Sequence, residues 1–249
     1  MITVGLIGFG RFGEVLFRHL GNRHTFKIYD PSKSENPNFR QIPFASLGDV
    51  CRCSLVIIAV PVSALKKVIS EAAPLLPAGT IVMDVCAVKS YPLQIMEDQL
   101  PEDVHLLGTH PLFGPDSASR SLKGHRIIFT PLRIPAEQLE VARNFWSEPG
   151  VRIMEMSAVE HDRLMAWTLA MTHFLGRALH TLPLPQTNIA TKDYQNLLRL
   201  VRKINRDTDE LFEDMHRYNP FTREMRKMLV ESMQDMKMHL DRNDEDREQ

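Results

Sequence analysis

Met1-Ile2-Thr3-Val4-Gly5-Leu6-Ile7-Gly8-Phe9-Gly10-Arg11-Phe12-Gly13 decides how the rest of the chain is read. An apolar run, Ile2 to Ile7, ends in G-x-G-x-x-G, and a helical pattern closed by Gly21 follows from Gly13 to Leu20. The glycine spacing gains meaning from this strand-turn-helix context. Gly8 permits a tight turn, Gly10 lets a pyrophosphate approach the backbone, and Gly13 lets the helix pack on the strand. An anion is favoured at such a helix N-terminus, where free N–H groups and the helix dipole point outward. Gly8, Phe9, Gly10, Arg11, Phe12 and Gly13 are therefore the candidate dinucleotide-binding loop.

Outward from this turn the chain alternates strands and helices. A second strand, Phe26 to Tyr29, ends at Asp30, where an acid accepts from the ribose hydroxyls of NAD and repels the 2′-phosphate of NADP. The expected cofactor is NAD, and Ser32-Lys33-Ser34 leaves NADP open as a phosphate-holding alternative. Leu55 to Val60 is continuously apolar, as in a strand buried on both faces. Val60 and Pro61 end it at the edge where ligands bind, so both are expected near the cofactor. A helix over Ser63 to Leu75, a strand over Thr80 to Val85, a helix over Tyr91 to Leu100 and strands over His105 to Gly108 and Arg126 to Thr130 follow. The pattern predicts an α/β fold, a mostly parallel Rossmann-type sheet with helices on both faces.

After Val151 to Met156 the period changes to helical. Ser157 with Glu160 forms a capping box that starts a long helix, apolar nearly all round, which implies burial against another element or another subunit. Leu182 to Asn188, with two prolines, is a loop. Asp193 to Tyr218 is helical with a break near Asp207, and Phe221 to Leu240 carries a methionine stripe that fits core or dimer packing. The expected division is a dinucleotide-binding domain over residues 1–156, a helical substrate and dimerisation domain over 157–240, and a polar, disordered tail over 241–249.

Composition limits the possibilities further. The 249 residues are 43% hydrophobic and 24% charged, with a formal net charge of -1. That balance gives no electrostatic case for nucleic acid or an anionic membrane. The basic run Arg199, Arg202, Lys203, Arg206 reads as a solvated helix face. The longest apolar run, Leu55 to Val62, is too short to span a bilayer. The opening residues lack secretory features, and the expected location is the cytoplasm. Three cysteines, Cys51, Cys53 and Cys86, do not make a disulfide framework, and no metal is expected because the Cys51/Cys53 pair lacks a second ligand pair.

Three further segments bear on chemistry: Asp84-Val85-Cys86-Ala87-Val88-Lys89, Gly108-Thr109-His110-Pro111-Leu112-Phe113-Gly114-Pro115-Asp116, and Glu160-His161-Asp162. In this order after G-x-G-x-x-G, they resemble the prephenate and arogenate dehydrogenase family. Thr191-Lys192-Asp193-Tyr194 through Leu197-Leu198, then Asp207, Leu211 and Tyr218-Asn219-Pro220, resemble the plant-type arogenate enzymes. The resemblance runs from Ile2 to about Leu240, and His-Pro-x-x-Gly-Pro is its most specific part.

The resemblance implies oxidative decarboxylation of a cyclohexadienol, arogenate or prephenate, with hydride passing to the nicotinamide and the ring becoming aromatic, in a homodimer whose interdomain cleft holds the reaction. It implies that His110 is the base or hydrogen-bond acceptor for the C4 hydroxyl, a task suited to a neutral imidazole. His161 and Asp162 are either capping and packing residues or catalytic ones. His173, on the same helix, is expected near the substrate side chain. Asp207 aligns with an acid that would favour the ammonium of arogenate, although a helix cap before Thr208 is the other reading. Thr109, Lys192 and Gln195 are further substrate-binding candidates, with Arg199 as a substitute for an arginine that has no clear counterpart. One departure stands out. The family usually has Ser where this chain has Ala87, a cofactor-side position. Losing that hydroxyl removes a positioned hydrogen bond on the order of a few kcal/mol. Thr109 is the residue expected to compensate. Ala87 also keeps a non-catalytic ligand-binding protein open, beside another two-domain oxidoreductase such as a hydroxyacid dehydrogenase or an imine reductase.

Overall fold

The computed structural model describes residues 1–245, which divide into two compact units, the chain passing from one to the other between His161 and Asp162. The first unit is built on one seven-stranded sheet. In chain order its strands are β1 (Thr3–Ile7), β2 (Thr25–Tyr29), β3 (Leu55–Ile58), β4 (Ile81–Asp84), β5 (His105–Pro111), β6 (Arg126–Arg133) and β7 (Arg152–Glu155). They lie in the order β2-β1-β3-β4-β5-β6-β7, and all neighbours are parallel except β5 and β6. The helices are α1 (Arg11–Leu20), α2 (Leu47–Cys51), α3 (Val62–Ala72), α4 (Ser90–Gln99) and α5 (Ala136–Ser147). The expected Rossmann-type α/β architecture is the observed one. The exception at β5–β6 has a simple cause, since parallel neighbours need a crossover and residues 112–125 contain no helix to make one.

Leu55, Val56, Ile57 and Ile58 are all essentially inaccessible, which accounts for an apolar run without alternation. The residues after β1, β2, β3, β4 and β5 all emerge at one carboxyl edge of the sheet. Ile7 is in register with Ile58, Ile58 with Asp84, and Asp84 with Gly108, two residues before His110. The expected strand over Thr80 to Val85 is one residue shorter at each end, and β5 runs three residues past Gly108, to Pro111. Helices α2 and α5 were not anticipated. Gly21 closes α1 as expected, with right-handed backbone (φ -64°).

The second unit is helical. Helix α6 (Ala158–Met165) begins with the expected cap, Glu160 N–H donating to Ser157 Oγ at 3.2 Å. A wider π turn, Ala166–Ala170, connects α6 to α7 (Met171–His180). The hydroxyls of Thr168 and Thr172 donate to the carbonyls of Leu164 and Thr168, which gives carbonyls around the wide turn alternative partners. Because a π turn advances each residue by less than the usual ~100°, helix faces read with ideal spacing do not carry through it. Helices α8 (Lys192–Ile204), α9 (Asp209–Arg217) and α10 (Thr222–Glu245) follow. A Cβ on Gly176 would meet Ile204 at 2.7 Å, so glycine sets the close approach of α7 and α8. Ala166, Ala170, Met215 and Met225 form the small core.

Two expectations need correction here. The domain boundary falls five residues beyond 156, because the first turn of α6 belongs to the sheet unit through His161. Helix α10 continues through Glu245, so residues 241–245 are helical rather than disordered; the rest of the expected tail lies outside the described residues. Leu164 and Trp167 of the long helix are exposed in the single chain, as are Met228, Met233 and Met236 on α10. No helix among the described residues is long and apolar enough to cross a membrane.

Candidate active site on the carboxyl edge of the sheet

The glycine turn has the geometry its spacing requires. Gly8 has φ +97°, and a Cβ there would lie 2.4 Å from the Ala59 carbonyl oxygen. A Cβ on Gly13 would lie 2.5 Å from the Gly8 carbonyl oxygen, so α1 can start there only without a side chain. Gly10 differs from both, because a Cβ on it meets nothing within 4 Å. Its bareness serves no neighbour in the protein. It leaves an open cradle at the N-terminus of α1, which fits the pyrophosphate of a dinucleotide.

Asp30 holds this turn. Its Oδ2 accepts from Phe9 N–H at 2.8 Å, and its Oδ1 accepts from the Ser32 N–H at 3.0 Å and hydroxyl at 2.6 Å. Oδ2 keeps a further lone pair for a ribose hydroxyl, while both acceptor sites of Oδ1 are taken by Ser32. Phe9 is buried, its ring edge-on to Phe17, Phe39 and Phe44, so it anchors the loop. Lys33 pairs with Glu14 at 2.6 Å. Of the Ser32-Lys33-Ser34 run, two members are thus already engaged by the protein. Val60 and Pro61 follow β3 on the same edge, and Pro61 is the residue before α3.

At the other end of this edge lies a buried polar knot. Asp84, Lys89 and Thr109 have no exposed surface. The Lys89 ammonium donates to Asp84 Oδ2 and to the Thr109 carbonyl (2.6 Å), Cys86 N–H donates to Asp84 Oδ2 at 2.9 Å, and Thr109 N–H donates to Asp84 Oδ1 at 3.2 Å. The Thr109 hydroxyl donates to the Asp84 carbonyl. The Thr109 hydroxyl, the one expected to compensate for Ala87, is thus turned inward onto the Asp84 carbonyl. A buried pair survives only when its remaining valences are satisfied, and this knot satisfies them by tying β4 and the start of α4 to β5.

His110 is the next residue on β5. It is buried, and its Nδ1 lies 2.8 Å from Nε2 of His161, the rings inclined at 73°. Burial, then His161 and the Lys89 ammonium, hold its pKa well below the usual imidazole range, so it is neutral at physiological pH. The His-Pro-x-x-Gly-Pro segment also reaches back to the glycine turn. The Phe113 ring lies 5.9 Å from that of Phe12, and Arg11 bonds Asp116 at 3.3 Å. The structure therefore brings together two motifs a hundred residues apart. Sequence reading did not assign roles to Lys89 and Asp84; the available signal was a lysine in a stretch otherwise fit for burial.

In the helical unit, His173 is buried, with Asp207 Oδ2 3.9 Å from its Nε2, beyond hydrogen-bond reach. Burial lowers the His173 pKa, with Asp207 opposing and Arg177 and Lys203 adding to the shift. Asp207 is not a helix cap. Thr208 caps α9, accepting from Leu211 N–H at 3.2 Å, while the Asp207 carbonyl accepts from Arg177 at 2.7 Å. His216 is nearby, pushed down to about 4 by burial, Arg226 and His173. Lys192, Gln195 and Arg199 lie exposed on α8; the Gln195 amide donates to the Ala190 carbonyl at 3.0 Å, and Arg199 bonds Asn196.

A glycine turn at a helix N-terminus, braced by an acid at the end of the second strand of a parallel sheet, defines a nucleotide-binding domain of the Rossmann type. Residues 15–155 match the family model of the prephenate dehydrogenase nucleotide-binding domain, and residues 178–249 match that of a TYRAAT1-like C-terminal domain. The chain belongs to the prephenate dehydrogenase family. It is 30% identical over 251 residues to arogenate dehydrogenase 1, chloroplastic, of Arabidopsis thaliana, covering 96% of this chain and 39% of that protein. It is 29% identical to arogenate dehydrogenase 2, chloroplastic, of the same plant, covering 96% of this chain and 70% of that one. The chain thus spans about two fifths of the first relative. The crystal structure of prephenate dehydrogenase from A. aeolicus in complex with hydroxyphenyl propionate and NAD+ shares the fold, with TM-score 0.74, 20% identity and coverage of 98% and 92%. So does Synechocystis arogenate dehydrogenase, with TM-score 0.68, 22% identity and coverage of 97% and 90%.

Proposed function

We propose that the protein is a nicotinamide-dependent dehydrogenase that oxidatively decarboxylates arogenate or prephenate, giving tyrosine or 4-hydroxyphenylpyruvate. The observation that carries this reading is the neutral, buried imidazole of His110 on the same sheet edge as the open glycine cradle, joined to it through Phe113–Phe12 and Asp116–Arg11. NAD would be held in the cradle shaped by Gly8, Gly10 and Gly13, where Asp30 would accept from a ribose hydroxyl. The engagement of Ser32 by Asp30 and of Lys33 by Glu14 favours NAD over NADP. Bound there, the nicotinamide supplies a hydride acceptor.

The chain's own residues do the rest. His110 Nε2 takes the proton of the C4 hydroxyl as the C4 hydride departs, leaving a carbonyl. The C1–carboxylate bond then breaks, CO2 leaves, and its electron pair moves through the ring to the C4 oxygen. That oxygen recovers the proton from His110, so no net proton is released. Ala87 offers no hydroxyl to the reacting oxygen, which is consistent with a slow enzyme and keeps a ligand-binding homologue without turnover as the second reading. His173, Asp207, Lys192 and Gln195 are the proposed substrate-binding residues, with Asp207 favouring the ammonium of arogenate. A homodimer accompanies this reading, supported by the exposed apolar side chains of α6 and α10. So does a cytoplasmic location, supported by three buried cysteines without a disulfide, although the Arabidopsis relatives are named chloroplastic.

Steady-state kinetics with both substrates and both cofactors test the proposal. NADH formation with arogenate is expected to exceed that with prephenate, and Asp207→Asn should narrow the difference. NAD binding without turnover of either substrate would leave the ligand-binding reading.

A further inference from the structure

His161 has no part in the chemistry just described, yet it is fully buried and its Nε2 lies 2.8 Å from His110 Nδ1. At that distance one proton lies between the two ring nitrogens, and the arrangement permits two states. If His161 Nε2 carries the proton, His110 has its own on Nε2 and presents a donor to the substrate. If His110 Nδ1 carries it, His110 Nε2 is a bare lone pair. Only the second state is a base.

We infer that His161 is a positioning residue that accepts the Nδ1 proton of His110 and so keeps the outward nitrogen, Nε2, ready to take a proton. The inference rests on His110 being the base of the proposed reaction. His161 stands where a carboxylate stands in a serine-hydrolase triad, orienting the imidazole and fixing its tautomer. An imidazole does this without adding a negative charge beside the buried Asp84–Lys89 pair. The same bond becomes charge-assisted once His110 is protonated, so His161 also steadies the transient imidazolium. The partners are held from both sides. His110 is fixed on β5 by the Lys89 contact to the neighbouring Thr109 carbonyl, and His161 by its N–H bond to the Ser157 carbonyl (2.9 Å) in the first turn of α6.

The test is 15N NMR of the histidine-labelled full chain, with His110 assigned from the signals lost in His110→Asn. The resting protein should show His110 protonated at Nδ1 and bare at Nε2. His161→Phe, close in shape but unable to accept, should move the proton toward Nε2 and lower kcat by roughly 100-fold or more with little change in KM. His161→Gln, whose amide oxygen can accept, should keep the Nδ1–H form and most of the activity. A wild-type His110 protonated at Nε2 overturns the inference, as does an unchanged spectrum and kcat in His161→Phe. The wild-type spectrum needs no variant to fold. If it shows the Nδ1–H form in a protein that turns over neither substrate, the dyad stands and the reaction assigned to it falls.

Discussion

At the β1–β2 end of the carboxyl edge the protein works by omission. Gly8 and Gly13 leave out side chains that would strike backbone oxygens, and Gly10 leaves one out where only a ligand would meet it. At the β4–β5 end it works by excess, packing an ammonium, a carboxylate and two imidazoles where no water reaches most of them. The difference teaches how each half of the site is paid for. The first costs chain entropy, which the tight turn recovers through packing. The second costs desolvation, recovered only if every member of the network keeps its partner.

The largest effect should follow from removing the base at the crowded end. His110→Asn should lower kcat/KM by about 10²–10⁴-fold, measured as NADH formation, with an unchanged circular dichroism spectrum. Next, Lys89→Met leaves Asp84 buried and unpaired, and should destabilise the sheet unit by about 3–5 kcal/mol in denaturant unfolding. A loss below 1 kcal/mol would mean that the knot is not the strut described above. At the bare end, Gly13→Ala and Gly10→Ala should separate cleanly. The first forces a Cβ against the Gly8 carbonyl and should cost about 1–3 kcal/mol of stability. The second should leave stability unchanged and weaken NAD binding roughly tenfold in a calorimetric titration, because its Cβ meets only the ligand. Equal stability losses would erase the contrast between the two glycines. Between the ends, Ala87→Ser should raise kcat by roughly three- to tenfold by returning a hydroxyl to the reacting oxygen.

The smallest effect is on pH. His110 and His216 are held below 6.5 in the fold, His216 down to about 4, while in the unfolded chain they titrate near 6.5. In acid the unfolded chain binds more protons than the folded one, so stability falls as pH drops below 6.5. The melting temperature should be level above neutrality and decline between pH 6.5 and about 4. Catalysis, which needs neutral His110, should persist below pH 6.5 in the acid limb of kcat/KM.

The helical unit adds a second contrast. Its buried apolar set is small, and Met228, Met233, Met236 and Leu240 are exposed on α10. Spacing alone marked these methionines as a packed stripe, because periodicity reports that a face is apolar and not whether this chain covers it.

The residues after β1 were legible because a backbone requirement leaves a residue-type signature. Only glycine fits φ +97° beside the Ala59 carbonyl, and only a short acid at position 30 reaches both the Phe9 amide and Ser32. The unbroken Leu55–Ile58 run told of a strand buried on both faces, and the Asp207 region told of a helix break. The sheet's parallel core and the nucleotide-binding turn were thus determined by local rules of sterics and burial. What only the tertiary structure decided is pairing. Sequence cannot show that Thr109 turns its hydroxyl inward, that Lys89 is neutralised by Asp84, or that His161 lies against His110 across 51 positions of chain. A side chain's chemistry is set by its neighbours' charge and by the water it loses, and both are properties of the packed fold.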